Sequence, residues 1–232
     1  MKKELLIFGA YGALGKGITE VLTSKDYSKI FLFDIEVDNN WNNQNNVENI
    51  RIKDLSIEQN VTDAFQNVKP AKDKTFFLYS TVGGFFGGKS LWETNVEEWD
   101  KTFNMNLKSN YLIAKYFSKI VKDSAGGSLC FTAAYTGLIP EVKKAAYGVS
   151  KSALIHLIKT LALEGKEINL SANAIAPYII DTPANREWMK DADYEKWIKP
   201  KEVGELIHNL FSNYYFITGN IINLTHRFKI NT

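Results

Sequence analysis

The 232-residue chain contains a single cysteine, Cys130, so no disulfide can form within it, and the apolar run around that thiol reads as buried strand rather than reactive site. A reducing, cytoplasmic setting is expected. An excess of charge is lacking too: 28 Lys and Arg against 26 Asp and Glu leave a net +2, with the lysines scattered, so nothing in the charge draws nucleic acid. No apolar run reaches membrane-spanning length, and no Pro-, Gly- or Ser-rich linker divides the chain. We therefore expect one domain over residues 1–232, with no membrane partner, no nucleic-acid partner and no metal. The basic start Met1-Lys2-Lys3, followed by an apolar stretch, imitates a signal peptide, but the regular glycines and the amphipathic pattern beyond them argue against one.

What is present is a succession of short apolar runs alternating with amphipathic stretches. Residues 4–8, 29–33, 47–53, 75–79, 127–132, 169–176 and 220–224 read as strands, several of them continuous apolar runs of the kind a parallel sheet buries on both faces. Helical spacing follows Gly15 through Ile18, Val21 and Leu22, and recurs over residues 57–68, 99–123, 145–164 and 202–211. This alternation predicts an α/β fold, a single doubly wound, Rossmann-like parallel sheet with helices on both faces and ligands at the strands' C-terminal ends. Residues 38–49 are dominated by asparagine and read as a solvated loop.

Candidate site residues fall at the ends of these runs. Gly9, Gly12 and Gly15, with Ala13 and Leu14 between, link the first strand to the first helix, where backbone amides can face a pyrophosphate. Asp34 ends the second strand, placed to accept hydrogen bonds from ribose hydroxyls and to repel a 2′-phosphate, so NADH is preferred and NADPH remains possible. Asp54 follows the third strand, where an adenine can lie. The run Gly83-Gly84-Phe85-Phe86-Gly87-Gly88 is neither helix nor central strand; either its aromatics pack into the core beneath, or one of them stacks on a planar ligand. Tyr147-Gly148-Val149-Ser150-Lys151 puts a phenol and an ammonium one helical turn apart. The cation should pull the tyrosine from a pKa of about 10 toward neutrality, making it a general acid. Asn106 interrupts an apolar helical stripe. Pro177 ends the sixth strand; Asp181-Thr182-Pro183 then caps a short helix, and Trp188 and Trp197 follow in a charged segment suited to closing over substrate. The helices around Tyr111 and Leu157 carry more apolar surface than one buried stripe needs, which predicts a homodimer.

With the glycine turn, Asp34, Asn106, Tyr147 and Lys151 in register with this strand order, the chain resembles the short-chain dehydrogenase/reductase family over essentially its whole length. That resemblance implies a nicotinamide cofactor, Tyr147 as proton donor, Lys151 holding the nicotinamide ribose and lowering the tyrosine pKa, and Asn106 supporting a relay water. The glycine spacing departs from the usual family pattern. More consequentially, Ala134 stands where the family's carbonyl-polarising serine is expected. Thr132 and Thr136 lie at even spacing from it and would share its face if the strand continued. Loss of that serine, the glycine-flanked Phe85 and Phe86, and the segments 181–186 and 191–197 are similar to the dihydropteridine reductase branch. The implied substrate is a quinonoid dihydropterin, a planar electron-poor ring. Two alternatives stand beside it: a reductase of another carbonyl or conjugated substrate, and a dinucleotide-binding sensor without turnover.

Overall fold

Apolar runs become strands where both faces of the sheet are covered. In the computed structural model, which describes residues 1–37 and 44–228, strands β1 (Lys2–Phe8), β2 (Lys29–Asp34), β3 (Val47–Arg51), β4 (Lys74–Ser80), β5 (Gly126–Thr132), β6 (Leu170–Pro177) and β7 (Ile221–Leu224) form one seven-stranded sheet. The order is β3-β2-β1-β4-β5-β6-β7 and every pairing is parallel. Helices α1 (Ala13–Thr23), α2 (Glu58–Ala64), α3 (Val96–Phe103), α4 (Ser109–Lys122), α5 (Ala145–Glu164), α6 (Pro183–Trp188) and α7 (Pro200–Ser212) lie between or after the strands.

Strand side chains alternate between two cores. Leu6, Phe8, Phe31, Phe33, Phe76 and Leu78 pack with Ile113 and Phe117 of α4 and Leu154 and Ile158 of α5. Their neighbours Leu5, Ile7, Ile30, Leu32, Phe77 and Tyr79 pack with Ile18 and Leu22 of α1 and Val203 and Ile207 of α7. The two-residue period puts successive side chains on opposite faces, and each fully buried large apolar group contributes roughly 1.5–3 kcal/mol. Because β1 pairs with both β2 and β4, the chain reverses its direction of winding beside β1, and a crevice opens at the carboxyl ends of these strands.

Three expected elements differ. The helix expected over residues 99–123 starts earlier, at Val96, where Asn95 caps it by accepting from the Glu98 N–H at 2.8 Å, and a π-helical turn, Asn104–Lys108, separates α3 from α4. Within the wider turn Asn106 is wholly buried, while beyond it Tyr111 is 45% exposed. The helix expected to reach residue 68 ends at Ala64 and tightens into the 3₁₀ turn Phe65–Asn67, and the third strand stops at Arg51. Of the expected polar loop, residues 38–43 lie outside the described residues. Among the described residues, no helix is long and apolar enough to cross a membrane.

Candidate active site

The turn after β1 leaves a space lined by backbone. Helix α1 begins with Gly12 as an extended N-cap that makes no side-chain capping bond, so the amides of Ala13, Leu14 and Gly15 open the helix without a capping side chain. A Cβ on Gly15 would lie 1.9 Å from the Gly9 carbonyl oxygen, so only glycine lets the helix close on the turn. At Gly12 such a Cβ would make only an ordinary contact, 3.7 Å from the Gly9 carbonyl oxygen. Asp34 ends β2 with both carboxylate oxygens fixed: Oδ2 accepts from the Tyr11 N–H and Oδ1 from the Ile35 N–H, each at 2.7 Å. Tyr11, Gly12, Lys16 and Asp34 line one cleft, and the carboxylate retains lone pairs for ribose hydroxyls. Asp54 is exposed beyond β3 and uses Oδ1 to accept from the Ser56 N–H at 2.8 Å. These residues fit a dinucleotide.

Helix α5 presents Tyr147 and Lys151 one turn apart, with the Lys151 Nζ 5.9 Å from the centre of the Tyr147 ring and donating to the Thr132 carbonyl at 2.8 Å. Lys151 is 3% exposed, and this burial pulls its pKa down to about 8. The expected lowering of the tyrosine pKa is not found: Tyr147 is pushed up to about 12, by burial first and by the negative charge of Glu141 second. A phenolate loses hydration in this setting, and the Lys151 ammonium is turned to Thr132 rather than spent on the phenol oxygen.

Asn106, carried by the π turn, clasps the glycine loop. Its Nδ2 donates to the Gly84 carbonyl at 3.0 Å and to Ser150 Oγ at 3.1 Å, while its Oδ1 accepts from the Gly84 N–H at 2.8 Å. Ser150 in turn donates to the Tyr147 carbonyl at 2.8 Å. Gly83 lies so close that a Cβ there would stand 2.7 Å from Asn106 Oδ1 and 3.0 Å from Lys151 Nζ.

Beyond this clasp the two phenylalanines part. Phe85, 52% exposed, sets its ring edge-on to Tyr147 at 5.1 Å between centroids and 6.0 Å from Trp188. Phe86 turns toward α3, where Lys101 lies 5.7 Å from its ring, so Phe85 is the aromatic on the Tyr147 side. Pro177 closes β6, and Thr182 caps α6 by accepting from the Asn185 N–H at 3.3 Å, with Pro183 in the first turn. Arg186 grips Asp181 through two bonds of 2.5 and 2.8 Å, bracing the segment that carries the exposed Trp188. Trp197, expected to take part in closure, is instead 5% exposed and packed on Tyr194, so it anchors the segment.

Ala134 is buried just past β5 and offers only a methyl group. Neither threonine replaces the missing hydroxyl, because the strand ends at Thr132 and the chain turns into a 3₁₀ helix at Tyr135–Gly137. The Thr132 hydroxyl lies 2.7 Å from the Tyr79 hydroxyl and donates to the Ser80 carbonyl at 2.9 Å, and the Thr136 hydroxyl donates to Glu141.

The sequence profile described as short chain dehydrogenase matches residues 3–193. The chain belongs to the short-chain dehydrogenase family. It is 29% identical over 215 residues to a dihydropteridine reductase of Dictyostelium discoideum, covering 92% of this chain and 89% of that one. It is 26% identical over 237 residues to the 3-oxoacyl-(acyl-carrier-protein) reductase FabG of Thermotoga maritima, with 96% of each covered. A solved structure of ElxO with NADP bound superposes with a TM-score of 0.81 at 21% identity, over 97% of this chain and 98% of that one.

In this member of the short-chain dehydrogenase family, three partners of the tyrosine helix were not evident from the sequence: the Thr132 carbonyl, Glu141 and Lys144. Lys144 had a usable signal, since a residue three before Tyr147 shares its side of a helix. Glu141 lies in irregular chain ahead of α5, and a carbonyl contact leaves no trace in residue type. Among the described residues, no group of three or more His, Cys, Asp or Glu is placed to hold a metal ion.

Proposed function

We propose that residues 1–232 act as a one-domain oxidoreductase that uses NADH to reduce a quinonoid dihydropterin to a tetrahydropterin, with Tyr147 as proton donor. The observation that carries this reading is the methyl of Ala134 with both nearby threonine hydroxyls committed elsewhere. A ketone concentrates charge on one oxygen and loses about 10²–10³ in rate without a preorganised donor, whereas a quinonoid ring spreads that charge over several atoms. Phe85, half exposed beside Tyr147 and Trp188, supports stacking of a planar ring. The raised Tyr147 pKa supports the reductive direction, because the phenol holds its proton near neutral pH until the ring takes it.

The nicotinamide supplies hydride when bound. Gly9, Gly12, Ala13, Leu14 and Gly15 would receive the pyrophosphate, Asp34 the adenosine ribose, Asp54 the adenine side, and Lys151 the nicotinamide ribose, with Gly83, Gly84, Pro177 and Thr182 bordering the nicotinamide. Asp34 supports NADH as the preferred cofactor, and Lys16 in the same cleft keeps NADPH possible. The exposed Tyr111, Val149 and Leu163 on α4 and α5 support a homodimer. A reducing, cytoplasmic setting suits the lone, buried Cys130.

The test is NADH oxidation with quinonoid dihydropterin generated in the cuvette, beside simple ketones. Turnover of the pterin with slow ketones is expected; brisk ketone reduction with only background pterin reduction overturns the reading in favour of a general reductase.

A further inference from the structure

Hydride transfer leaves negative charge spread over the substrate ring, part of it on the ring's oxygen, and with alanine at position 134 a cation elsewhere can meet that part. The candidates near Tyr147 narrow quickly. The hydroxyls of Thr132 and Thr136 are spent, and Lys151 donates to the Thr132 carbonyl. Lys144 is different. It is the N-cap of α5, three residues ahead of Tyr147, and its ammonium lies 5.7 Å from the centre of the Phe85 ring, the same ring that packs against Tyr147. Its side chain is 23% exposed and held at 3.0 Å by Glu141, whose other oxygen accepts the Thr136 hydroxyl. The chain Thr136–Glu141–Lys144 thus runs from just beyond Ala134 to the Phe85 ring.

Resting on the pterin reading, the geometry points to Lys144 as a catalytic residue, a held cation that hydrogen-bonds the substrate ring's oxygen and meets the share of the charge that falls there. The charged groups around it leave it this role. Lys89 and Glu98 line the adjoining cleft but pair with each other, Lys143 is exposed whereas Lys144 is the lysine beside the Phe85 ring, and Arg186 is tied to Asp181. Glu141 holds Lys144 in place without consuming all of its donors, since an ammonium carries three. In the reaction the ring gains two electrons and one hydrogen as hydride, from the C–H bond broken on the reduced nicotinamide. It gains one proton from the Tyr147 O–H, which solvent later restores. Lys144 keeps its proton throughout. NADH, one proton and the quinonoid ring become NAD⁺ and the tetrahydropterin.

An oxidised pterin, which gives up a ring proton in mild alkali to become an oxyanion, is a stable probe of this contact. Calorimetric titrations into the NAD⁺-loaded protein, on either side of the probe's own ionisation, compare wild type with Lys144→Met and Lys144→Arg. Wild type should bind the anion about tenfold tighter than the neutral ring, Lys144→Arg should keep most of that ratio, and Lys144→Met should bring it to about one. Lys151 titrates in the same range but is common to all three proteins. With the quinonoid substrate, Lys144→Met should lose about tenfold in kcat, less than a ketone loses without its donor, while KM for NADH holds. If Lys144→Met does not fold, Lys144→Gln serves in its place. An unchanged anion preference and rate in the neutral variant overturns the assignment to Lys144 alone. Absence of probe binding by wild type overturns the pterin reading, and this assignment with it.

Discussion

The side-chain amide of Asn106 closes a two-bond ring with the backbone of Gly84, donating to its carbonyl and accepting from its N–H. Asn106 is wholly buried, so removing its side chain leaves both Gly84 groups without partners at roughly 1–3 kcal/mol each. Asn106→Ala should therefore lower stability by about 2 kcal/mol or more and loosen the loop that carries Phe85. Urea denaturation and a pterin titration check this; unchanged values in both would show that the loop is held by other contacts.

Tyr147→Phe removes the hydroxyl and keeps the ring against Phe85. Its kcat should fall by about 10²–10⁴, the usual worth of a general acid, with NADH affinity nearly intact. Lys151→Ala should differ by weakening NADH as well. Stopped-flow turnover with parallel calorimetry separates the two, and full activity in Tyr147→Phe would give the pair a structural role.

Asp34 holds its carboxylate in place through the Tyr11 and Ile35 amides. Charge-assisted hydrogen bonds of about 1.5–3 kcal/mol imply an NADH preference over NADPH of roughly ten- to a hundredfold, which Asp34→Ala should narrow. Equal or tighter NADPH binding by wild type would refute the preference.

Lys151 and Tyr147 act on the pH dependence of stability in opposite senses. Lys151 has a folded pKa of about 8, below its ordinary value, so between these values the unfolded chain binds more protons and stability rises with pH. Tyr147 works the other way, its contribution being lost as pH climbs from about 10, the free phenol value, toward the folded value. Burial also pushes the Cys130 thiol up, so its contribution is lost above the free thiol value, but that is common to both proteins, and wild type should gain stability relative to Lys151→Met between about pH 8 and pH 10. Parallel denaturation curves for the two proteins would contradict this.

Exposed Tyr111, Val149 and Leu163 on the two helices flanking the sheet predict a dimer in solution. Light scattering at micromolar concentration should return twice the 26.3 kDa chain mass. A monomer there removes the proposal.

Local patterns were enough to read the sheet. Apolar runs such as residues 4–8 and 75–79 have no other way to bury both faces, and the glycine turn and Asp34 take their place from the strands they follow. The Tyr147 and Lys151 pair was legible because helical periodicity is a local property. The surroundings of that pair were not. The π turn that buries Asn106 arises where α3 and α4 meet the glycine loop, and no spacing in the sequence marks its extra residue. Tertiary packing also decided the chemistry of Tyr147: adjacency to a lysine along a helix suggests a lowered pKa, but burial and Glu141, which comes from irregular chain ahead of the helix, raise it. The partings of Phe85 from Phe86, and of Trp188 from Trp197, likewise belong to the folded state. Residue type records how apolar a side chain is, whereas only the packed neighbours determine which way it turns.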